Sequence, residues 1–389
     1  MDCDVLIVGG GPAGLSLARS LADAPLRVIV VEKQPHAALE APGYDGREIA
    51  LTHRSIGTLK ALGAWDLLPP EDVSPLDEAR VLNGASPFAL SFDPASHGGG
   101  PLSLIVPNHR IREALFRTVE HQPNLTLLAG VGVAALKTSA RAAEVTLDDG
   151  RTLSAKLLVA ADSRFSGVRD RLGIGAEVNR LGRSMMVCRV RHDGEHHGVA
   201  TEWFDHYQTL AMLPLNGRRS SAVLTLPAAE MDGIAALDEA ALGAELTRRY
   251  QGKLGRMEVD ASAHVYPLAT TWSRHFAATR AALIGDAAVG MHPVTAHGFN
   301  LGLQSQATLA KLVIAAAQRG RDIAAPSLLR RYEMTHRLAS RPIYAATNWL
   351  VRLYTDERPG ARIARHATLR AGSRLPLARQ AITAMLMQR

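Results

Sequence analysis

One short motif near the middle of the C-terminal half brings an acid, a loop and a helix together. An apolar stretch of strand type ends in Gly285-Asp286, a loop containing Pro293 follows, and Gly298 opens a long helical pattern. Such a convergence suits a polar, partly anionic ligand, because a helix N-terminus attracts negative charge. Gly-Asp after a strand also occurs as an ordinary turn with a helix cap, and this motif alone leaves both interpretations open.

A second motif lies at the start of the chain. The spacing Gly9-x-Gly11-x-x-Gly14 follows an apolar strand and opens a helical pattern, and the next strand ends at Glu32. Glycines permit a tight turn and close approach of a pyrophosphate to the backbone, and the acid accepts a hydrogen bond from a ribose hydroxyl. The ordered combination predicts dinucleotide binding. The alternative is a helix packed closely on a strand through Gly14.

Two further polar positions follow strand-like or turn-like segments. Asp162 ends a third apolar strand, which fits a topology in which several strand ends face one crevice. Its alternative role is an ion pair with Arg164 or Arg169. Arg47 follows an Asp-Gly turn, and its side chain either reaches the ligand or lies on the surface.

The order of elements predicts an α/β protein with a Rossmann-like nucleotide-binding domain, a second antiparallel β-sheet domain that covers a substrate cavity, and a C-terminal helical segment. Strands are expected at 125–136, 144–147 and 152–159 in the first domain and at 186–190, 201–204, 209–214 and 221–226 in the second, with helices at 108–119, 240–250 and 300–317. The expected ranges are 1–75, 102–180 and 270–335 for the first domain, 76–101 and 181–269 for the second, and 336–389 for the basic helical end.

Composition limits the classes of partner. The 389 residues carry a formal net charge of +7, but aromatic residues make up 5% and do not alternate with the basic ones, so nucleic-acid binding is not expected. Cys3 and Cys188 have no metal-ligand spacing, and we expect no metal site. The absence of a signal-peptide pattern favours a cytoplasmic location.

The C-terminal segment is helical in pattern and basic. Trp349 lies on an apolar face, and eight arginines occur between Arg352 and Arg389. Such a segment either lies on an anionic membrane as a peripheral contact or packs its apolar stripe on the parent domain.

Taken together, the motifs resemble the class A flavin-dependent monooxygenases of the para-hydroxybenzoate hydroxylase type, and within them the ubiquinone-biosynthesis ring hydroxylases. The resemblance rests on GGGPAG at the start, the segment at Asp162, GDAA…HP…GFNLGL near residue 300, and the loop and helix from Asp45 to Trp65. It covers nearly the whole chain. It implies FAD as bound cofactor and NADH or NADPH as transient electron donor.

The resemblance also implies roles for individual residues. Gly9, Gly11 and Gly14 are expected at the pyrophosphate, Glu32 at the adenosine ribose and Asp286 at the ribityl chain. The further residues expected to bind the cofactor are Pro12, Ala13, Lys33, Arg47, Asn108, Arg112, Val133, Asp162, Gly285, Pro293, Gly298, Phe299 and Asn300.

The chain departs from the family pattern in two places. Ser163 replaces the glycine of an Asp-Gly motif, and Ala296-His297 stand where glycine and glutamine are usual. We hypothesise that His297 is catalytic, tuning the flavin or relaying the phenol proton, since neutral imidazole accepts a proton near neutral pH. The alternative is a packed loop histidine.

The resemblance implies hydroxylation of an electron-rich, prenylated phenol by molecular oxygen through a flavin C4a-hydroperoxide, in ubiquinone biosynthesis. Two other functions fit the same motifs. One is a flavin-dependent reductase of isoprenoid double bonds. The other is a noncatalytic flavoprotein subunit of a membrane-associated biosynthetic complex.

Overall fold

The computed structural model describes residues 1–84, 86, 89–92, 100–205, 207–293 and 297–355, with the backbone alone at 350 and 353–355. The strands are β1 Cys3–Val8, β2 Val28–Glu32, β3 Glu48–Leu51, β4 Ser74–Leu76, β5 Glu78–Asn83, β6 Leu90–Phe92, β7 Ser103–Pro107, β8 Leu125–Ala129, β9 Val133–Thr138, β10 Ala143–Leu147, β11 Thr152–Ala160, β12 Ala176–His192, β13 Val199–Asp205, β14 Gln208–Leu215, β15 Arg219–Pro227, β16 Met257–Val259, β17 His264–Ser273, β18 Ala277–Ala278, β19 Ala281–Leu283 and β20 Val289–Gly290. The helices are α1 Pro12–Ser20, α2 His36–Glu40, α3 His53–Ala61, α4 Asn108–Val119, α5 Gly167–Arg171, α6 Ala228–Ala235, α7 Glu239–Arg249, α8 Gly298–Gln318 and α9 Pro326–Thr355. The expectations for Ala296 and for the arginine-rich end after residue 355 lie outside the described residues.

The first sheet has a parallel core in the order β19-β11-β1-β2-β8. Every residue of β1 is buried, as expected of a parallel strand covered on both faces. Helices α1 and α8 pack together on this sheet, and Ser20 donates a hydrogen bond to Gln306 across their contact at 3.0 Å. The carboxyl ends of the core strands therefore meet at one edge of the sheet.

One predicted segment of the first domain differs from the structure. The strand expected at 125–136 is wrong as one element, because β8 and β9 are separated at Gly130, which has φ +78°. The amide of Gly130 donates to the carbonyl of Gln34, so the chain turns there toward the loop after β2. The helix predicted at 108–119 is confirmed as α4.

The second sheet has nine strands, in the order β20-β17-β12-β15-β14-β13-β5-β6 with β16 beside β12. The four predicted strands exist, but β12 is much longer than expected, with 17 residues. The segment from 76 to 101, expected to belong to the second domain, contributes β5, which pairs with β13 as a parallel neighbour in an otherwise antiparallel sheet. Helix α7 was predicted, whereas α6 was missed. The division of the chain into domain ranges stays a prediction.

A small sheet, β3-β7-β4, lies beside the second one. Glu48 at the start of β3 has no exposed side-chain surface, and Arg189 of β12 donates to its Oε1 at 2.7 Å. Burial raises the pKa of Glu48 to about 7 although the adjacent guanidinium lowers it. This ion pair therefore joins the segment that follows β2 and α2 to the second sheet.

Helix α9 is the last described element and packs against α8. Its Tyr332 is fully buried and donates to the carbonyl of Leu283 in β19 at 2.5 Å. Within the described residues, no helix has the length and apolar character needed to cross a membrane.

Replacing Arg189 with Leu should lower the free energy of unfolding by about 3 kcal/mol, because it leaves a buried carboxyl without its cation. Because burial raises the pKa of Glu48 in the folded protein, the free energy of unfolding decreases as the pH increases from the ordinary carboxyl range toward about 7. Without Arg189 the pKa of Glu48 should be higher still, so the decrease in the free energy of unfolding should continue above neutral pH. Urea unfolding at acidic, neutral and mildly alkaline pH measures this.

The double variant Glu48→Leu/Arg189→Leu is the matched control. It removes both charges and should recover most of the lost stability, since no unpaired charge remains. Equal instability of the single and double variants would contradict an ion-pair explanation.

Candidate cofactor and substrate site

A cavity of about 1360 Å³ lies between the first and second sheets. One wall consists of the loops that follow β1, β2, β11 and β19, which is the carboxyl edge of the parallel core. The opposite wall consists of side chains from β12 to β15. Ligands of open α/β sheets bind outside the carboxyl ends of the strands, so this cavity is the candidate site.

The glycines of the first motif have two different tasks. A Cβ on Gly9 would lie 2.3 Å from the carbonyl oxygen of Ala161, and one on Gly14 would lie 1.9 Å from that of Gly9. Gly9 also has φ +113°, which favours glycine. A Cβ on Gly11 would meet nothing within 4 Å, and Gly11 lines the cavity. Close packing thus requires Gly9 and Gly14, whereas Gly11 leaves open space in front of α1.

The N-terminus of α1 faces that space without a side-chain cap. Its first residue is Pro12, which has no amide hydrogen, and the amides that follow are the donors that a helix offers to an anion. The second strand ends at Glu32, whose carboxylate accepts from the amides of Gly10 at 2.6 Å and Gln34 at 2.7 Å. Glu32 therefore fixes the glycine loop and lines the cavity at the same time.

Arg47 and Asn108 share one carboxylate. Arg47 donates to Asp45 at 2.6 Å and Asn108 donates to the same oxygen at 2.7 Å. Burial favours the neutral form of Asp45, but these hydrogen bonds prevail and lower its pKa. Tyr266 donates to the Asp45 carbonyl at 2.7 Å and lies under the Arg47 guanidinium. Arg47 is half exposed and also lines the cavity, so it lies partly on the surface and partly within reach of a ligand.

Arg112 lines the cavity from α4. Its guanidinium donates to Gln34 at 3.1 Å, and burial lowers its pKa. No carboxylate among the described residues forms an ion pair with it. A half-buried cation at a cavity wall is stabilised by a bound anion, which makes Arg112 a candidate phosphate ligand.

Asp162 is held by its own loop. Its carboxylate accepts from the Ser166 hydroxyl at 2.5 Å and from the amide of Val168 at 3.0 Å, and burial raises its pKa. Ser163 has φ +85°, a conformation that favours glycine. At this departure from the family pattern, a serine in the cavity wall therefore adopts a backbone conformation that favours glycine.

The ion pairs considered for Asp162 do not form. Arg164 pairs instead with Asp286 at 3.1 Å, and Arg169 with Asp170 at 3.4 Å. Arg164 extends away from its own loop toward the segment after β19, so its guanidinium reaches Asp286 and not Asp162. Asp286 is thus oriented by a cation that the sequence motifs did not connect with it.

The start of α8 contributes to the cavity in part. Pro293, Gly298 and Phe299 line it. Asn300 instead accepts from the Thr52 amide at 3.1 Å and donates to the Ala50 carbonyl at 2.9 Å, which anchors the helix to β3. His297 is 2% exposed and is not among the cavity-lining side chains of the described chain. Its catalytic role stays a prediction.

The remaining predicted residues lie at the cavity wall. They are Pro12, Ala13, Lys33, Val133 and Gly285. All predicted cofactor residues except Gly14 and Asn300 therefore surround one space, although the binding role of each stays a prediction.

The second wall was not assigned from the sequence. Its side chains alternate along four neighbouring strands and include Leu181, Arg183, Met185 and Val187 of β12, Val223 and Thr225 of β15, Thr209, Ala211 and Leu213 of β14, and Glu202 and Phe204 of β13. Alternation within each predicted strand was visible, but the face that points inward depends on the pairing of strands distant in sequence.

Two titratable groups on the walls have strongly altered acidity. Burial raises the pKa of Glu202 to about 8. Burial, with the positive charges of Arg164 and Arg183, lowers the pKa of His292 to about 4, so this imidazole is neutral near pH 7. Neither was singled out in the sequence, because each shift arises from the assembled cavity.

The sequence model of the FAD binding domain family matches residues 2–346. The chain is 43% identical to ubiquinone hydroxylase UbiM of Neisseria meningitidis, over 99% of this chain and 85% of the relative. It is 38% identical to ubiquinone hydroxylase UbiL of Rhodospirillum rubrum, over 97% of this chain and 87% of the relative. The chain belongs to the class A FAD-dependent monooxygenases.

The fold of this monooxygenase is shared with solved structures. p-Nitrophenol 4-monooxygenase PnpA from Pseudomonas putida DLL-E4 matches with a TM-score of 0.79 and 19% identity, over 99% of this chain and 98% of that one. The α/β fold expected from the sequence is confirmed by this likeness. FAD is the cofactor of the family, and NADH or NADPH is its typical electron donor.

The described residues of the monooxygenase fit an FAD. Open space at Gly11 and an uncapped helix suit the pyrophosphate, and Arg112 supplies a cation beside them. The carboxylate of Glu32 retains acceptor capacity for a ribose hydroxyl, since each oxygen accepts only one hydrogen bond in the protein. FAD fits this site because these groups retain space or hydrogen-bonding capacity that contacts within the protein do not use.

Gly11→Ala should weaken FAD binding at least about tenfold, because its methyl group enters the space in front of the helix, which an anion must approach closely. Folding should be unaffected, since the new Cβ meets nothing within 4 Å. Titration of the apoprotein with FAD gives the affinity, and thermal unfolding of the apoprotein gives the stability.

Gly57→Ala is the matched control, because its Cβ also meets nothing within 4 Å but lies in α3, away from the cavity. It should leave FAD affinity unchanged. Unchanged FAD affinity in Gly11→Ala would contradict the assignment of this space to the pyrophosphate.

Proposed function

We propose that this monooxygenase hydroxylates the ring of a polyprenyl phenol in ubiquinone biosynthesis, with FAD, molecular oxygen and NADH or NADPH. The observation that carries the proposal is one cavity with a dinucleotide-type wall and a largely apolar wall opposite it. Relatives named ubiquinone hydroxylases at 43% and 38% identity support the substrate class.

When bound, FAD supplies the activation of oxygen, and the chain supplies position and exclusion of water. In the proposal the α1 N-terminus, Gly11 and Arg112 hold the pyrophosphate, Glu32 binds the adenosine ribose, and Asp286 binds the ribityl chain. Arg164 orients Asp286 through their ion pair at 3.1 Å. The N-terminus of α8 points its positive end toward the cavity from Gly298, where it favours negative charge on a flavin ring.

The proposed role of His297 is indirect. Its imidazole is buried directly before the first residue of α8, so a change in its charge would act on the helix end. Such a position supports tuning of the flavin more than contact with the substrate.

The largely apolar wall supports an aromatic ring with a hydrocarbon tail. Met185, Val187, Leu213 and Val223 present apolar groups to the cavity. Burial of a ring and tail against them contributes about 25 cal/mol for each Å² removed from water. Val351 of α9 also lines the cavity, and we propose that the hydrocarbon tail leaves the cavity near this helix.

The purified protein should be yellow and should consume one oxygen molecule for each NADH or NADPH oxidised when a phenol with a short prenyl chain is supplied. The product should carry one ring oxygen derived from labelled molecular oxygen, as measured by mass spectrometry. Reduction of an isoprenoid double bond without oxygen would identify the reductase instead. Bound FAD without turnover of any prenyl phenol would favour a noncatalytic subunit.

We further propose that α9 rests on an anionic membrane surface and receives the substrate there. Met334, Leu338 and Trp349 are 65%, 80% and 56% exposed on one side of the helix. Arg331 and Arg341 lie exposed on the same side at helical spacing. Apolar side chains flanked by arginines are typical of helices that lie in the interface of anionic lipid.

Leu338→Glu should reduce binding to vesicles that contain phosphatidylglycerol at least about threefold, because it places a negative charge on the apolar face. Leu67→Glu is the control, since Leu67 is 41% exposed but lies outside α9. Vesicle sedimentation measures the binding. Equal binding of both variants and the wild type, or no binding of the wild type, would contradict the membrane contact.

A further inference from the structure

Glu202 is the acid on the second wall of the cavity. It lies on β13, with Ala211 of β14 opposite it in the pairing, and both side chains line the cavity. Phe204 and Leu213 line the same wall. The carboxyl of Glu202 therefore stands among apolar groups and faces the space left for a substrate.

Within the described part of the chain, no hydrogen bond or ion pair engages the Glu202 side chain. Acids on strands usually point to water or meet a cation, because an unpaired polar group in an apolar environment costs free energy. Other acids of this fold follow that rule, as Glu48 does with Arg189. An acid left without a partner on a cavity wall has its hydrogen-bonding capacity available for a ligand.

The charge state of Glu202 follows from its surroundings. Burial raises its pKa to about 8, so the neutral carboxyl predominates near pH 7. Arg183 of β12 is the cation on the same wall, and its guanidinium donates to the carbonyl of Tyr207. Arg80 of β5 pairs with Glu78, and its register with Thr201 places it on the opposite face of the sheet. The cavity-facing residues of β14 and β15 carry no titratable group.

We propose that the Glu202 carboxyl donates a hydrogen bond to an oxygen on the substrate ring and thereby selects phenolic rings and orients them in the cavity. The inference rests on the proposed function, since it takes the ligand on this wall to be a phenol. A neutral carboxyl is suited to the task because its O–H donates to the phenol oxygen, and its second oxygen can accept from the phenol O–H. An ionised carboxylate can only accept, and its bond to the phenol O–H is charge-assisted. The surrounding apolar wall strengthens the hydrogen bond and holds the hydrocarbon part.

The test compares two probes on the FAD-loaded, full-length protein. The probes are 2-geranylphenol and geranylbenzene, which differ by the ring oxygen, and the perturbation of flavin absorbance gives the Kd of each. The wild type should bind the phenol about tenfold more tightly, as one buried hydrogen bond provides. Glu202→Leu should lose this preference with little change for geranylbenzene. Glu202→Gln, which retains a donor, should keep most of it.

The pH profile separates a hydrogen bond from a packing effect. The preference of the wild type for the phenol should be constant from about pH 6 to 7 and increase above about 8, because ionised Glu202 accepts a charge-assisted hydrogen bond from the phenol O–H that geranylbenzene cannot offer. The profile of Glu202→Gln should stay flat. Glu258→Leu is the control, since it removes an exposed acid from the same sheet outside the cavity, and it should preserve both the preference and its pH dependence.

A Leu variant that keeps the preference, or a Gln variant that loses as much as Leu, would overturn the assignment. If Glu202→Leu prevents FAD binding, the pH profile of Glu202→Gln decides, and the same change above pH 8 in that variant as in the wild type contradicts a role for Glu202. If the wild type hydroxylates 2-geranylphenol but Glu202→Leu keeps the preference for the phenol, only the role of Glu202 is contradicted. If the wild type neither binds nor hydroxylates the phenol, the proposed function itself is contradicted.

Discussion

The close approach of three chain segments at Gly9 determines the shape of the cofactor end. The Gly9 amide donates to the Val31 carbonyl at 2.8 Å, and the Ala161 amide donates to the Val8 carbonyl at 2.7 Å. Any Cβ on Gly9 would collide with the Ala161 carbonyl. Because three strand ends meet without intervening side chains, the acids and donors that follow them converge on one crevice.

The second constraint is the connection between the two cavity walls. Glu48 and Arg189 join β3 to β12 through a buried pair at 2.7 Å. Arg164 extends from the loop after β11 to Asp286 and also donates to the carbonyl of Ala269 in β17 of the second sheet. These contacts fix the distance between the dinucleotide wall and the apolar wall. They explain why one cavity combines space for a polar cofactor with space for an apolar substrate.

Local signals in the sequence were sufficient for the first wall. Glycine spacing, strand-end acids and the start of α8 are short-range patterns, and most residues named from them surround the cavity. The second wall could not be predicted in this way, because Glu202 acquires its position from pairing with β14 and β5 and its acidity from burial. The partner of Asp286 was missed for the same reason, since Arg164 lies 122 residues earlier in the chain.

In the proposed site, the crevice around Gly9, Gly11 and Glu32 binds the dinucleotide half of FAD. Calorimetric titration of the apoprotein with FAD and with FMN tests it most directly, because FMN lacks the adenosine and the second phosphate. FAD should bind at least about 100-fold more tightly than FMN, which corresponds to about 2.7 kcal/mol of additional binding free energy. Equal affinities for FAD and FMN would contradict it.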